Sequence, residues 1–262
     1  MKYLLLFAFL FVTTVSHAQI INKLKKKVED KVNNAADKII DGTGNANNEK
    51  PTSGAVERAS RAEMVFDFIP GDSIFFSDNF AESSVGSMPK YWKSSGTGEL
   101  VEFPGENGKW LLLTEFTTYK LDTLLQLPQN FTVEFDILTR ADKADDLISF
   151  TFGFAKDNSV SGYEDRIMSK TQLHYGNESI INYATEANIY NTQDYPFDNY
   201  SNAKMRVSIQ VMGARMKVYL NRDKVLDTDM LSAAAPKYFY FNPSTRLRNN
   251  AQLAVGNFTF AE

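Results

Sequence analysis

The residue inventory limits the chemistry before any element is placed. The chain has no cysteine and two histidines, His17 and His174. Cysteine nucleophiles and thiolate zinc sites are therefore excluded. A Ser-His-Asp triad would need His174 as its base, and no Gly-x-Ser-x-Gly elbow occurs, so His174 reads as an ordinary strand residue. Glycoside hydrolysis asks only for two carboxyl groups roughly 5 to 10 Å apart. Glu134 and Asp136 share one face of a strand, opposite Val133 and Phe135. The stretch Tyr183 to Tyr200 carries Tyr183, Tyr190, Asn191, Tyr195, Phe197 and Tyr200 among further amides and acids. Aromatic faces stack on the CH faces of sugar rings while amides and carboxylates satisfy hydroxyls, so this stretch reads as a candidate glycan-binding loop. Its competing role is to plug one end of a core. Oxygen ligands for a cation occur at Asp78 and Asn79 and at Asp142, Asp145 and Asp146, but no EF-hand spacing holds them.

Such residues need a scaffold, and the period-two alternation from Ala203 to Thr228 supplies it. Met205, Val207, Ile209 and Val211 alternate with Lys204, Arg206, Ser208 and Gln210. A turn at Gly213-Ala214 and a second at Asn221-Arg222-Asp223 complete a three-strand meander. A meander cannot hide its own apolar face, so a second sheet must pack over it. Its polar face carries Lys204, Arg206, Arg215 and Lys217 without an acid, which points any ligand there towards negative charge.

Further strands are predicted at Val65–Phe68, Ile74–Phe80, Glu99–Phe103, Trp110–Phe116, Phe131–Thr139, Leu147–Ala155, Gln172–Tyr175, Ile180–Ala184, Lys237–Phe241 and Gln252–Phe260. Ile69-Pro70-Gly71-Asp72 fits a type II turn. Gly105-Glu106-Asn107-Gly108 fits a hairpin loop. Ser149, Thr151, Gly153 and Ala155 form a small-residue face that predicts a shallow outer concavity. In the last strand Leu253 and Val255 are in one phase and Phe258 and Phe260 in the other, which predicts a one-residue bulge near Gly256. Together these give an all-β fold, a two-sheet antiparallel jelly-roll sandwich over residues 63–262.

Ahead of this body, Lys2, the apolar run Leu4 to Val12 and Ser16-His17-Ala18 read as a signal peptide, residues 1–18. Its removal takes the formal charge from −4 to −5, a balance that argues against nucleic acid as a partner. The apolar run is too short to span a bilayer, so no transmembrane span is expected. With no cysteine, lipid attachment at a mature N-terminal cysteine is excluded. Residues 19–41 carry Ile21, Leu24, Val28, Val32, Ala35 and Ile39 at helical spacing among lysines, a stripe suited to self-association through Ile21–Ile39 or to a membrane surface. Residues 42–62 read as a flexible linker.

Phe66-Asp67-Phe68-Ile69-Pro70-Gly71-Asp72, Phe76-Ser77-Asp78-Asn79-Phe80 and Val85-Gly86 with Pro89 and Trp92 resemble the opening of a β-sandwich of bacterial envelope proteins. In that group the sandwich often precedes an OmpA-type domain. Phe131 to Asp136, the meander and Val255-Gly256-Asn257-Phe258 resemble concanavalin A-like lectin/glucanase or laminin G-like jelly rolls. No OmpA-type domain follows the sandwich, so peptidoglycan anchoring is not carried over. The resemblance implies an exported binding module of the cell envelope, in the periplasm, at the outer membrane or outside the cell, with a glycan or another envelope component as ligand. It also implies structural calcium, for which Asp78 is the chosen ligand. The glucanase relatives place Glu-x-Asp-x-x-Glu on one strand; here Glu134-x-Asp136 matches the first half and Thr139 stands where the second glutamate belongs. A noncatalytic module is therefore the expected function. The alternatives are a jelly-roll glycoside hydrolase with a divergent site and an assembly protein that oligomerises through its N-terminal helix.

Overall fold

The computed structural model describes residues 66–123, 125–161, 166–243 and 246–262. The segments expected to be a signal peptide, a helix and a linker lie outside these residues. In chain order the strands are β1 (Ile74–Asp78), β2 (Trp92–Ser94), β3 (Gly98–Val101), β4 (Trp110–Leu113) and β5 (Tyr119–Leu121). Then come β6 (Asn130–Arg140), β7 (Ser149–Ala155), β8 (Ile167–His174), β9 (Ser179–Ala184) and β10 (Ile189–Asp194). The chain continues with β11 (Lys204–Met212), β12 (Arg215–Leu220), β13 (Asp223–Asp229), β14 (Tyr238–Pro243) and β15 (Gln252–Ala261). Helical structure among the described residues is limited to short 3-10 turns.

The strands form two antiparallel sheets, the jelly-roll sandwich the alternation predicts. Sheet A runs β13-β12-β11-β6-β15-β4-β3, with β1 also on β15; sheet B runs β10-β9-β8-β7-β14-β5-β2. The meander aligns Met205 with Ile137, Val207 with Phe135, Ile209 with Val133 and Val211 with Phe131, so both strands bury the same phase. Phe150, Phe152 and Phe154 of β7 meet them from the other sheet, and all three are fully buried. Phe135 is the hub, with ring centroids of Phe152, Phe239 and Phe258 at 5.5, 5.6 and 5.3 Å. Each such buried ring stabilises the sandwich by about 2 to 3 kcal/mol relative to exposure.

The predicted bulge is present. Gly256 aligns with Asp136 and Thr259 with Glu134, so β15 spends one extra residue there, and Asn257 takes the left-handed φ of 56°. The bulge resets the phase, and Leu253, Val255, Phe258 and Phe260 all reach the core.

Three local expectations change. Phe66–Phe68 joins no ladder; it crosses the outer face of sheet A, where Phe66 and Phe68 pack edge-on against Tyr219, each at 5.5 Å. Between them, Asp67 accepts from Lys217 Nζ (2.9 Å) and the Tyr219 hydroxyl (2.8 Å), which holds its carboxyl well below the usual range. Gly71 is not left-handed, so the turn is not type II; the residue is small because a Cβ would sit 2.7 Å from the Ala261 and Glu262 backbone. The small-residue face of β7 is not an open concavity either. Ser149, Thr151 and Ala155 are buried, and the residues just after β7 reach across to β5, where Lys120 Nζ donates to the Asp157 carbonyl at 2.8 Å.

Candidate functional site

The stretch Tyr183 to Tyr200 is not one long loop. It forms the end of β9, a turn with Asn188 at φ 51°, the edge strand β10 and a 3-10 turn at Phe197–Tyr200. The strand was hidden because its residues, Ile-Tyr-Asn-Thr-Gln-Asp, are polar in both phases, as an edge strand tolerates.

This geometry splits the six candidate residues. Tyr183 and Tyr190 stand directly opposite each other across the β9–β10 pair. Both lie in the phase of Ile181 and Thr192, away from the core that Ile180, Asn182 and Ala184 face. Tyr190 is 72% exposed and Tyr183 is half-buried. Asn191 is exposed but belongs to the opposite phase, aligned with the fully buried Asn182. Tyr195 and Phe197 are core residues: Phe197 packs on Tyr175 at 4.7 Å and on Tyr195 at 4.9 Å. Burial pushes the Tyr195 phenol up, and its hydroxyl donates to Asp223. Tyr200 is half-buried, stacks on Tyr195 at 5.9 Å, and its hydroxyl accepts from Asn221 Nδ2. These three rings plug one end of the sandwich.

Around the outward pair the register builds a continuous row over sheet B. Tyr190 aligns with Tyr183, Tyr183 with Lys170, and Lys170 with Gly153. The neighbouring row holds Thr192, Ile181, Gln172 and Thr151. The arrangement is an aromatic shelf bordered by an ammonium, an amide and a hydroxyl, able to hold a flat apolar face while meeting hydroxyls at its rim. Lys170 lies outside the strand expected at Gln172–Tyr175, because that strand, β8, begins at Ile167. The alternation of Lys170, Gln172 and His174 against Thr171 and Leu173 carries the missing signal.

The other candidates serve the fold. Asp78 accepts from Phe80 N (2.8 Å) and Trp92 Nε1 (3.0 Å), and burial pushes its carboxyl up. Both oxygens thus bind protein donors, and among the described residues no group of three or more His, Cys, Asp or Glu could hold a metal ion. Asp78 borders a polar cleft of about 330 Å³ with Asn79, Glu82, Tyr91, Arg206 and Asn257. At its floor Arg206 donates to Glu134 Oε2 (3.2 Å) and Asp136 Oδ1 (3.1 Å), so the two carboxylates considered for hydrolysis are tied to one guanidinium. The cations of the meander are likewise neutralised, Lys217 by Asp67, Arg215 by Asp227 and Lys204 by Glu106. The expected anion-binding face of sheet A is therefore absent.

No family model and no characterised protein matches the sequence. Solved structures do. Arcelin-5, a lectin-like defence protein from Phaseolus vulgaris, shares 12% identity at a TM-score of 0.50, covering 71% of this chain and 96% of that one. The botulinum neurotoxin serotype D ligand binding domain, solved with N-acetylneuraminic acid, gives 15% and 0.49 over 72% of this chain. This chain spans only 47% of that structure's length. The carbohydrate binding module CBM66 from Bacillus subtilis gives 14% and 0.45, covering 66% of this chain and 96% of that one. The fold is a two-sheet jelly-roll β-sandwich, as in arcelin-5.

Proposed function

We propose that this chain is an exported, noncatalytic glycan-binding module of the bacterial cell envelope, with Tyr183 and Tyr190 as its sugar platform. The observation that carries the reading is the cross-strand tyrosine pair on the face of sheet B that does not enter the core. Burying one ring of such a pair against protein would explain it structurally; leaving Tyr190 72% exposed does not. The lectin-like fold supports the same reading, and the Lys2, Leu4 to Val12 and Ser16-His17-Ala18 pattern supports export. The commitment of Glu134 and Asp136 to Arg206 favours binding over hydrolysis.

A glycan array probed with the full chain tests this. Tyr190→Ala and Tyr183→Ala each remove one stacking face, at about 0.5 to 1.5 kcal/mol, so affinity for any glycan hit falls by a few-fold to tenfold. Far-ultraviolet circular dichroism stays unchanged, because neither ring is in the core. A hit whose affinity is indifferent to both substitutions would move the site elsewhere, and a silent array would remove the glycan reading.

A further inference from the structure

We infer that the ligand of the tyrosine shelf is an acidic sugar, with the Lys170 ammonium as the counter-charge to its carboxylate or sulfate. This inference rests on the glycan reading above and narrows it to a substrate class.

The observation is an accounting of positive charge on the outer faces of the two sheets. Arg206 is held by Glu134 and Asp136, Lys217 and Lys224 by Asp67, and Arg215 by Asp227. On the sheet B side Lys156 is held by Glu186 and Arg166 by Asp157, while buried Lys120 donates to the Asp157 carbonyl. Lys170 differs from all of these; Arg222 of the β12–β13 turn resembles it in lying over a ring, that of Phe66, but stands away from the tyrosine shelf. The one interaction of the Lys170 ammonium among the described residues is with the ring of Tyr183, whose centroid lies 5.4 Å from Nζ.

That contact orients the ammonium but uses none of its hydrogen-bonding capacity. An ammonium carries three donors, and a cation over a ring satisfies charge through the quadrupole alone. Lys170 is half-buried, so its hydration is already reduced. The residues that flank it on the outer face are Tyr183, Gly153 and, one row along, Gln172, all uncharged. A sugar lying on Tyr183 and Tyr190 thus has a partly desolvated positive charge at one edge, and among the described residues no carboxylate pairs with that charge. Neutral sugars would leave that charge unmet, whereas an acidic one would satisfy it. The same reasoning excludes the cleft by Asp78, where the acids outnumber the bases.

The test compares oligogalacturonate and a sulfated oligosaccharide with a neutral β-glucan of equal length, by calorimetry on the full chain. The acidic ligands are expected to bind more tightly, by tenfold or more, and to weaken as salt is added. Lys170→Gln removes that advantage and its salt dependence, while Lys170→Arg keeps the affinity within about threefold, since both carry charge. Preference for the carboxylated over the sulfated ligand, or the reverse, identifies the anion. Equal binding of acidic and neutral ligands, unaffected by Lys170→Gln, overturns the acidic-sugar inference and leaves the glycan reading intact. Binding of none of them, with a silent array, removes both. Thermal denaturation of each variant confirms that the fold is unchanged.

Discussion

Arg206→Met separates structural carboxylates from chemical ones. The guanidinium makes four hydrogen bonds at 3.1 to 3.3 Å, two to Glu134, one to Asp136 and one to the Asn257 carbonyl. Charge-assisted bonds contribute about 1.5 to 3 kcal/mol when buried, and exposed ion pairs about 0 to 1 kcal/mol. Here the side chains of Arg206, Glu134 and Asp136 keep 33%, 21% and 14% of their exposure, between those limits. Methionine preserves much of the stem's packing, so the expected loss is about 2 kcal/mol, mostly from two uncompensated carboxylates left on β6. For a body of this size that lowers Tm by roughly 4 to 8 °C. Urea unfolding followed by the fluorescence of buried Trp92 and Trp110 gives the free energy directly. Adding Glu134→Gln and Asp136→Asn to Arg206→Met should recover about 1 kcal/mol, because the amides no longer need the cation. A loss below about 0.5 kcal/mol, or a triple variant no better than the single one, would refute the pairing. It would also return Glu134 and Asp136 to consideration as catalytic groups.

Two further outcomes concern sheet B. Burial lowers the Lys120 pKa to about 8 from the usual 10.5. The unfolded chain therefore binds more protons between those values, and stability should rise with pH across that window by up to about 3 kcal/mol. Lys120→Met should flatten this rise; urea midpoints at pH 7.5 and 10 check it, and an unchanged slope counts against it. Gly153→Ala should destabilise by about 3 kcal/mol, because a Cβ there runs into the Ser169 carbonyl and comes within 2.9 Å of Lys170 Cα. Chemical denaturation measures that loss, and a neutral effect would show that β7 and β8 can move apart.

The strands with clean alternation, such as β6, β7, β11 and β12, were legible because alternation over five or more residues has one structural solution, whereas β8 was legible only from Gln172 and the polar β10 not at all. The bulge in β15 was legible for the same reason: Leu253, Val255, Phe258 and Phe260 cannot share a core without it. β2 and β5 were not, since three residues such as Trp92-Lys93-Ser94 or Tyr119-Lys120-Leu121 contain no period to detect. The role of Asp67 was hidden for another reason. Its partners Lys217, Tyr219 and Lys224 lie some 150 residues away, and nothing local distinguishes an acid that faces water from one that faces them. The candidate site was half legible. Aromatic enrichment singles out the β9–β10 hairpin, but which tyrosines point outward depends on register, and the turn through Asn188 fixes that.

The position of β15 has a consequence for how the body can be made. This strand lies between β6 and β4 and also holds β1, so it is central to sheet A although it is the last strand in sequence. Its final pairing closes a ring of backbone bonds, with Ser73 and Glu262 exchanging both N–H and C=O at 2.9 to 3.0 Å. During synthesis the halves β13-β12-β11-β6 and β4-β3 must therefore wait, unzipped, until residues 252–261 emerge. The meander can assemble early from local contacts, but the sandwich cannot close around it. Sheet B, complete by Pro243, has no such constraint, so the two sheets of the sandwich differ in when their last pairing can form.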